Sequence, residues 1–357
     1  MARATIYEVA SRAGVSITTV SRVLNDKGPV AEATRHRIVN AIRELGYEPS
    51  WLGRALAGQR RNAVGIVFPD LAGPYHAGVI AGLEAWAAAS DVALFILGTH
   101  RRRQSSALVE EFAQHVDGLV LTAQTVQGEE LERLLDQGVK VVLLGQPVQA
   151  GVPAVRVESQ SYAKTLTEHF LVDHGLQHLG FLGDPNVSPD IEERWQGFLD
   201  GHVSQGRRPP GGPWRTSLRE SNGYKAAIKL LAGRRRLEAI VCANDELALG
   251  VYTAAVERGL RIPQDLRVSG WDDIPQARWA VPGLTTIHQP LEALGQRAGE
   301  ILTALLEGKN LVAATTWIPS TLIIRQSCGC GGEREEAAAE SPQSSIHGAG
   351  EAKTTPK

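Results

Sequence analysis

The sequence predicts a small all-α head joined by a linker to a larger α/β core. Residues 1–61 contain ten Lys and Arg against five Asp and Glu, a net charge of +5, whereas the rest of the chain has a net charge of −7. The apolar residues of the head recur only at helical spacing, whereas the core alternates short apolar runs with helix-length segments. A basic head on an acidic body is typical of a protein that binds nucleic acid through one end.

Composition excludes several classes of protein. The 357 residues are 43% hydrophobic and 21% charged, and no apolar run approaches the roughly 20 residues that cross a bilayer. Residues 1–5 lead into a polar amphipathic segment rather than a secretory signal, so we expect a cytoplasmic protein that does not contact membranes. The cysteines are too few for a disulfide framework and fit a reducing compartment: Cys242, Cys328 and Cys330.

The first helix is predicted by a capping box. Thr5 and Glu8 have the spacing at which a hydroxyl and a carboxylate satisfy the free amides of the first helical turn. Apolar residues then recur at i, i+3, i+4 and i+7, and Gly14 suits the left-handed conformation that ends a helix. A tight turn is therefore expected after Gly14.

Two further helices complete the head. Ser16 is placed to cap a helix that runs to about Asn25, and a third helix is predicted over residues 31–45. In the second helix, three residues face inward and four face outward: Val20, Val23 and Leu24 against Ile17, Thr18, Ser21 and Arg22. Two helices joined by a glycine turn form a helix-turn-helix, whose second helix suits the major groove of DNA. Any small helical bundle is the alternative.

A linker follows the head at residues 49–62. Pro49 interrupts the helical pattern, and Ser50 is placed to cap a short helix over residues 51–57. Gly53 costs this helix about 1 kcal/mol relative to alanine, so we expect it to be disordered until other contacts stabilise it. An ordinary connector with Leu56 in a core contact is the alternative.

The core reads as a parallel α/β fold. Apolar runs predict buried strands, each separated by a segment long enough for a helix, at residues 64–68, 92–97, 118–121, 140–144, 179–182, 239–242 and 266–270. Ligands of such sheets bind beyond the carboxyl ends of the strands, so pocket residues should follow strands.

The core carries no enzyme signature. There is no G-x-G-x-x-G after the first strand, no P-loop, no H-E-x-x-H and no G-x-S-x-G. Cys328 and Cys330 are two potential metal ligands without a neighbouring His or Cys in the sequence, so we expect surface thiols, no metal and no cofactor. The scattered histidines are interpreted as surface or packing residues: His100, His115, His169 and His288.

The head resembles the lactose-repressor (LacI) family of bacterial transcription regulators. The resemblance lies in residues 9–16 (VASRAGVS), 19–25 (TVSRVLN) and 43–50 (RELGYEPS). It implies that residues 1–48 are the DNA-binding domain. It further implies that Ile17, Thr18 and Arg22 contact base edges. The other implied DNA contacts position the domain without reading sequence: Thr5, Ser16, Thr19, Ser21 and Asn25.

The same resemblance changes the interpretation of the linker. It implies a hinge helix that orders on DNA, pairs with its counterpart in a dimer, and inserts Leu56 into the minor groove. At position 17 the chain departs from the polar residues often seen in the family. Because Ile17 is able to contact a thymine methyl but unable to donate a hydrogen bond, the operator sequence does not transfer from a relative.

The resemblance extends through the core to about residue 328. It implies a periplasmic-binding-protein-like core over residues 63–328 that is divided into two lobes. The chain is expected to pass from one lobe to the other near residues 158, 288 and 318, and an effector to bind in the cleft between the lobes. Residues 329–357 lack apolar periodicity, so we expect a disordered tail, and the missing leucine heptads favour a dimer. The implied effector contacts are Tyr75, His76, Gln146, Arg194, Asn244 and Asp272.

Three of these contacts also have local explanations. Arg194 suits a surface ion pair, Asn244 a helix cap and Asp272 a turn. Together, a guanidinium, an amide and a carboxylate suit a hydroxyl-rich ligand, so a sugar or sugar derivative is favoured. At Glu158 the chain departs from the Asp common in relatives.

Other positions refine the effector class. Gln146 and Leu218 replace residues that are often aromatic in the family, which disfavours a stacked purine. Trp271 suits the apolar face of a pyranose, or else belongs to the core.

These observations predict a dimeric, effector-controlled repressor that reads a pseudo-palindromic operator in double-stranded DNA. A sugar-binding receptor without a DNA role is the alternative, but it leaves the basic head unexplained. A sugar- or nucleotide-processing enzyme is disfavoured by the missing catalytic motifs.

Overall fold

The computed structural model describes residues 4–24, 28–47, 61–100, 105–233, 237–332 and 334–336. Contacts between Cα atoms divide the chain into two units, Met1–Arg61 and Asn62–Lys357. The first unit is helical and the second is α/β, as the sequence predicts. Within the described ranges, no helix combines the length and apolarity needed to cross a membrane.

Three helices form the first unit: α1 (Ile6–Ala13), α2 (Ile17–Leu24) and α3 (Glu32–Leu45). The Thr5 and Glu8 capping box is present, and Gly14 and Gly46 end their helices in the left-handed conformation. The core of this unit is built on fully buried side chains, one from each helix: Val9, Val20 and Ile38. The predicted hinge over residues 49–62 falls almost wholly outside the described residues.

The first lobe of the second unit contains a parallel six-stranded sheet in the order β10-β5-β4-β3-β1-β2. Its strands are β1 (Ala63–Phe68), β2 (Ala93–Gly98), β3 (Gly118–Thr122), β4 (Lys140–Leu144), β5 (Ala154–Val157) and β10 (Thr315–Ile318). The helices that accompany it are α4 (Pro74–Ala89), α5 (Ser105–Ala113), α6 (Glu129–Asp136) and α12 (Leu291–Leu306).

Helices α4 and α12 pack with their backbones in close contact, because glycines lie where they meet. A Cβ on Gly82 would lie 1.8 Å from the Glu292 carbonyl oxygen, and a Cβ on Gly295 would lie 2.2 Å from that of Val79. Helix α12 therefore packs on the first lobe although it lies some 200 residues after α4 in the chain.

The second lobe contains a parallel sheet in the order β6-β7-β8 and an antiparallel sheet in the order β12-β11-β9. The strands are β6 (Leu179–Leu182), β7 (Ala239–Cys242), β8 (Arg267–Ser269), β9 (Thr286–His288), β11 (Thr321–Ile324) and β12 (Arg334–Glu336). Its α-helices are α7 (Gln160–Glu168), α8 (Pro189–Ser204), α9 (Glu220–Leu231), α10 (Asp245–Glu257) and α11 (Pro275–Trp279). A π-helix (His169–Asp173) continues α7, and 3-10 turns cover Pro185–Val187 and Gln326–Cys328.

All seven predicted strands are present within two residues of their expected ends, and they are the seven that read as apolar runs. The sequence analysis missed the strands that are short or rich in Thr, which are β5, β9, β10, β11 and β12. It also placed the start of the tail too early. Cys328 is fully buried and Cys330 half-buried, and β12 pairs with β11, so the prediction of surface thiols at this end is wrong.

Candidate functional site

The outer face of α2 presents the residues expected to contact DNA. Ser16, Thr18 and Arg22 are exposed, and Ile17 is 39% exposed, while Thr19 and Ser21 are half-buried at its edges. Val20 and Val23 lie on the opposite face of the helix and are buried. The helix therefore keeps a polar face in water with a single apolar side chain, Ile17, within it.

Three of the predicted DNA contacts also form local hydrogen bonds. The Ser16 hydroxyl accepts a hydrogen bond from the Thr19 amide at 3.2 Å, and the two hydroxyls lie 2.9 Å apart. The Thr5 hydroxyl donates to the Glu8 carboxylate at 3.0 Å. Asn25 and Leu56, the remaining predicted contacts, lie outside the described residues.

The core contains a cavity of about 450 Å³ between the carboxyl ends of the strands of its two parallel sheets, a volume in the range of small-molecule sites. Each sheet contributes loop residues that follow its strands, as expected for an open α/β fold. They include Asp70 after β1, Gln124 after β3, Gly145 after β4, Ser188 after β6, Asn244 after β7 and Asp272 after β8.

Arg194, Asp190 and Asp272 are the most deeply buried charged side chains of this lining. Arg194 is 4% exposed, its Nη1 donates to the Ala243 carbonyl at 2.7 Å, and its guanidinium lies 4.6 Å from the centre of the Trp271 ring. Its buried Nε has no hydrogen-bond partner among the described residues. A buried donor without a partner is costly, so this N–H is available to a ligand oxygen.

Asp272 has an unusual backbone and an unusual proton affinity. Its φ of 114° is in the left-handed region, and its carboxylate accepts a hydrogen bond from Gln289. Burial raises the pKa of Asp272 to about 7, although the Arg194 charge opposes this rise. Near neutral pH the side chain is thus able to accept or donate a hydrogen bond.

Tyr75 brings a hydroxyl from the first lobe into the same lining. Burial raises the pKa of its phenol well above the ordinary value, and the nearby charges of Asp190 and Asp272 raise it further. The phenol therefore remains protonated and is able to donate to a ligand.

The other predicted effector contacts differ in their placement. His76 lines the cavity with Nδ1 2.8 Å from the Ala72 carbonyl, and burial lowers its pKa. Asn244 lines the cavity and also caps α10, accepting from the Leu247 amide at 3.0 Å, so its local explanation holds as well. Gln146 does not line the cavity; it is buried and donates to the Leu121 carbonyl at 2.9 Å.

Trp271 is a core residue in this structure. It is 1% exposed and lies beneath Arg194 rather than in the cavity lining. Its use as an open platform for a pyranose, one of the two alternatives at the sequence level, does not fit this position.

The structure adds lining residues that sequence reasoning missed. Asp190 accepts from Arg156 at 3.0 Å, and Arg156 also donates to Glu193 at 2.8 Å. At the cavity mouth, Arg219 of the second lobe forms ion pairs with Asp70 of the first lobe and, at 3.6 Å, with Glu246. No motif marks these residues, because their partners lie 27 to 149 positions away.

Comparisons with known proteins agree on the family. Residues 5–50 match bacterial regulatory proteins of the lacI family, and residues 168–328 match the periplasmic binding protein-like domain. The ribose operon repressor of Halalkalibacterium halodurans is 30% identical over 339 residues, which cover 94% of this chain and 99% of that protein. The transcriptional repressor PurR of Photorhabdus laumondii is 32% identical over 331 residues, 91% and 96% of the two chains.

A solved structure extends the likeness to nearly the whole fold. The lac repressor dimer bound to operator and the anti-inducer ONPF aligns with a TM-score of 0.80 and 26% identity, over 92% of this chain and 99% of that one. The helical head and the two-lobed α/β core therefore occur together in a protein of the same architecture.

Proposed function

Because this chain belongs to the lacI family of bacterial regulatory proteins, whose members are repressors rather than enzymes, we propose that it is a DNA-binding repressor controlled by a small-molecule effector. The observation that carries the proposal is the joint presence of a polar outer face on α2 and a cavity between two lobes that is lined by charged and hydroxyl-bearing side chains. A receptor without a DNA role accounts for the cavity alone.

In the proposed complex, α2 enters the major groove. Arg22 pairs with a guanine through two hydrogen bonds, Thr18 contacts a base edge, and Ile17 contacts a thymine methyl. The phosphate contacts fix the position of the helix without reading sequence, and they involve Thr5, Ser16, Thr19, Ser21 and Asn25.

The proposed assembly is a cytoplasmic homodimer on a pseudo-palindromic operator, with residues 1–48 as the reading domain, 49–62 as the hinge and 63–328 as the effector core. Two heads related by two-fold symmetry require a two-fold symmetric site. Leu56 of each hinge is proposed to enter the minor groove and kink the duplex.

The proposed effector is a neutral carbohydrate. More negative than positive side chains line the cavity: Asp70, Asp190, Glu246 and Asp272 against Arg194 and Arg219. The Arg219 charge is already paired with Asp70 and Glu246, so a sugar phosphate would find only Arg194 to neutralise it, whereas uncharged hydroxyls are able to pair with the Arg194 Nε, the Tyr75 hydroxyl and the Asp272 carboxyl. Gln146 is not in the lining, so we assign it a supporting position behind the site.

Control of DNA binding follows if the effector binds the two lobe arrangements unequally. A ligand with equal affinity for both arrangements shifts neither population. The ion pair of Arg219 with Asp70 joins the lobes at the cavity mouth, so a ligand that changes the lobe angle must stretch or rebuild it.

DNA reading is tested by selecting duplexes from a random library with the full chain, followed by anisotropy titrations of the enriched sequence at several salt concentrations. We expect a pseudo-palindrome to be enriched and its affinity to decrease steeply with salt, because phosphate contacts release counterions. Failure to enrich any duplex would contradict the proposal.

The effector is tested by a thermal-shift screen against neutral sugars, polyols, sugar phosphates and purines. A ligand that binds only the folded state raises Tm, and we expect a neutral sugar to do so in the wild type and in Asp136→Asn, an exposed control, but not in Asp272→Asn. A purine or phosphate hit that survives Asp272→Asn would overturn the assigned class.

A further inference from the structure

Four potential metal ligands meet where the π-helix contacts the end of the core. His169 and His174 come from the π-helix and the residue after it, and Cys328 and Cys330 come from the last 3-10 turn and the loop that follows. The four ligand atoms all lie within 4.8 Å of one another. We propose that these four side chains form a structural Zn²⁺ site.

The distances fit tetrahedral coordination. The Nε2 atoms of His169 and His174 are 3.2 Å apart, and the Cys330 Sγ lies 3.5 Å from His174 Nε2 and 3.9 Å from His169 Nε2. Zinc bonds of about 2.0 Å to nitrogen and about 2.3 Å to sulfur place two nitrogens about 3.3 Å apart and a nitrogen about 3.5 Å from a sulfur. The three distances among His169, His174 and Cys330 therefore lie within about 0.4 Å of those of a tetrahedral site, and the Cys328 Sγ is within 4.8 Å of the other three ligand atoms.

A carboxylate orients one of the histidines for this role. His169 Nδ1 lies 2.7 Å from the Asp173 carboxylate, so Nδ1 carries the proton and Nε2 presents its lone pair to the cluster. In zinc proteins a ligand histidine commonly donates its other ring N–H to a carboxylate in this way. His169 is 5% exposed and Cys328 is fully buried, so the cluster is partly shielded from water.

The donor set selects the metal. Two thiols and two imidazoles in a tetrahedron are the ligands of structural zinc, whereas Mg²⁺ and Ca²⁺ prefer oxygen. Binding of Zn²⁺ displaces one proton from each thiol, and the two thiolates neutralise the charge of the ion. Both cysteines are thiols in this structure, as this chemistry requires.

The site is distinct from the effector cavity and has a structural role. The cavity lies beyond the carboxyl ends of β6, β7 and β8, whereas His174 precedes β6 and the Cys328 carbonyl accepts from Arg267 at the amino end of β8. A metal there would link the segment around His174 to the segment around Cys328, which lie about 155 residues apart in the chain.

The direct test uses the full chain, reduced, stripped with a chelator and titrated with Co²⁺. We expect one equivalent per chain, with the visible absorption of a tetrahedral site and a near-ultraviolet thiolate band, and displacement of Co²⁺ by Zn²⁺. Zn²⁺ should also raise Tm, because it binds only the folded core.

A graded set of variants assigns the ligands. His174→Gln and Cys330→Ser alter half-buried side chains, and we expect each to weaken Zn²⁺ binding more than 100-fold. Asp173→Asn alters an exposed carboxylate and should weaken Zn²⁺ binding about 10- to 100-fold, because the His169 ligand loses the acceptor that orients it. His178→Gln, an exposed neighbour outside the cluster, should bind as wild type does.

The proposal is overturned by any of three results. These are no thiolate band with reduced protein, equal Zn²⁺ affinity in His174→Gln and wild type, or a disulfide between Cys328 and Cys330 in protein isolated under reducing conditions. Retained circular dichroism in the variants separates loss of a ligand from loss of the fold.

Discussion

The outer face of α2 and the cavity of the core present their functional side chains in opposite ways. On α2 the predicted DNA contacts fall between residues 16 and 22, within two helical turns, and all are exposed or half-buried. In the cavity, Tyr75 and Asp272 are almost 200 residues apart, and Arg194 and Asp272 are 4% and 7% exposed.

This difference has an energetic consequence. Polar groups on α2 remain in water, so the head does not lose stability by presenting them. Polar groups in the cavity are desolvated, and burial raises the pKa of both Asp190 and Asp272. An exposed polar surface therefore lowers the free energy of unfolding little, whereas a buried polar site lowers the stability of the fold that contains it.

The largest expected effect concerns the ion pair behind the cavity. Arg156 is 5% exposed and contacts Asp190 and Glu193, so Arg156→Met leaves two carboxylates without their partner. We expect the free energy of unfolding to decrease by about 3–5 kcal/mol, measured by urea titration of tryptophan fluorescence.

The matched control for that variant is Arg133→Met. Arg133 pairs with Glu110 at 3.0 Å on the surface, with side-chain exposures of 49% and 29%, and a pair of this kind contributes at most about 1 kcal/mol. Similar losses of unfolding free energy in both variants would refute the view that Arg156 offsets the cost of burying Asp190 and Glu193.

The next effect is a pH dependence of stability. Asp272 has a folded pKa of about 7 against an ordinary value of 3.8, so between these values the folded chain holds a proton that the unfolded chain has released. The contribution of this group to stability therefore decreases as pH rises from about 4 to 7, by up to about 4 kcal/mol.

Asp272→Asn removes this ionisation. We expect the variant to be more stable than the wild type at pH 8 and the difference to shrink toward pH 4, in urea titrations without effector. Asp136→Asn, an exposed control, should follow the wild-type curve. Parallel curves for Asp272→Asn and wild type would mean that the cavity does not destabilise the core.

A smaller effect tests the surface. We expect Arg22→Ala to reduce discrimination between the selected operator and a single-base variant by about 1–3 kcal/mol, because a bidentate contact to one base is lost. Arg37→Ala removes an exposed charge from α3 and should leave discrimination intact in the same anisotropy titrations. Equal losses on all duplexes would assign Arg22 to phosphate contact.

The smallest effect concerns the capping box of α1. Thr5→Ala removes the hydroxyl that contacts Glu8 and its amide, and we expect about 1 kcal/mol less protection of the α1 amides in hydrogen exchange. Thr5→Ser keeps the cap and should retain the protection. If alanine and serine behave alike, the cap does not limit opening of the head.

Local pattern was sufficient for most of the fold. Helices α1 to α3 and seven strands follow from capping residues, helical periodicity and apolar runs, because each signal lies within a few residues of the structure that it specifies. Strands β5 and β10 gave no such signal: they are four residues long and pair with each other across some 160 positions. Their pairing is a property of the assembled sheet.

The two functional regions divide along the same line. The sequence alone determined the exposed polar face of α2, since a period of 3.6 residues sets which side chains face water. Only the tertiary structure decided that Arg156 compensates Asp190, that Arg219 reaches Asp70, and that two cysteines meet two histidines. Contacts between residues far apart in the chain depend on how whole layers pack, and no local pattern encodes that packing.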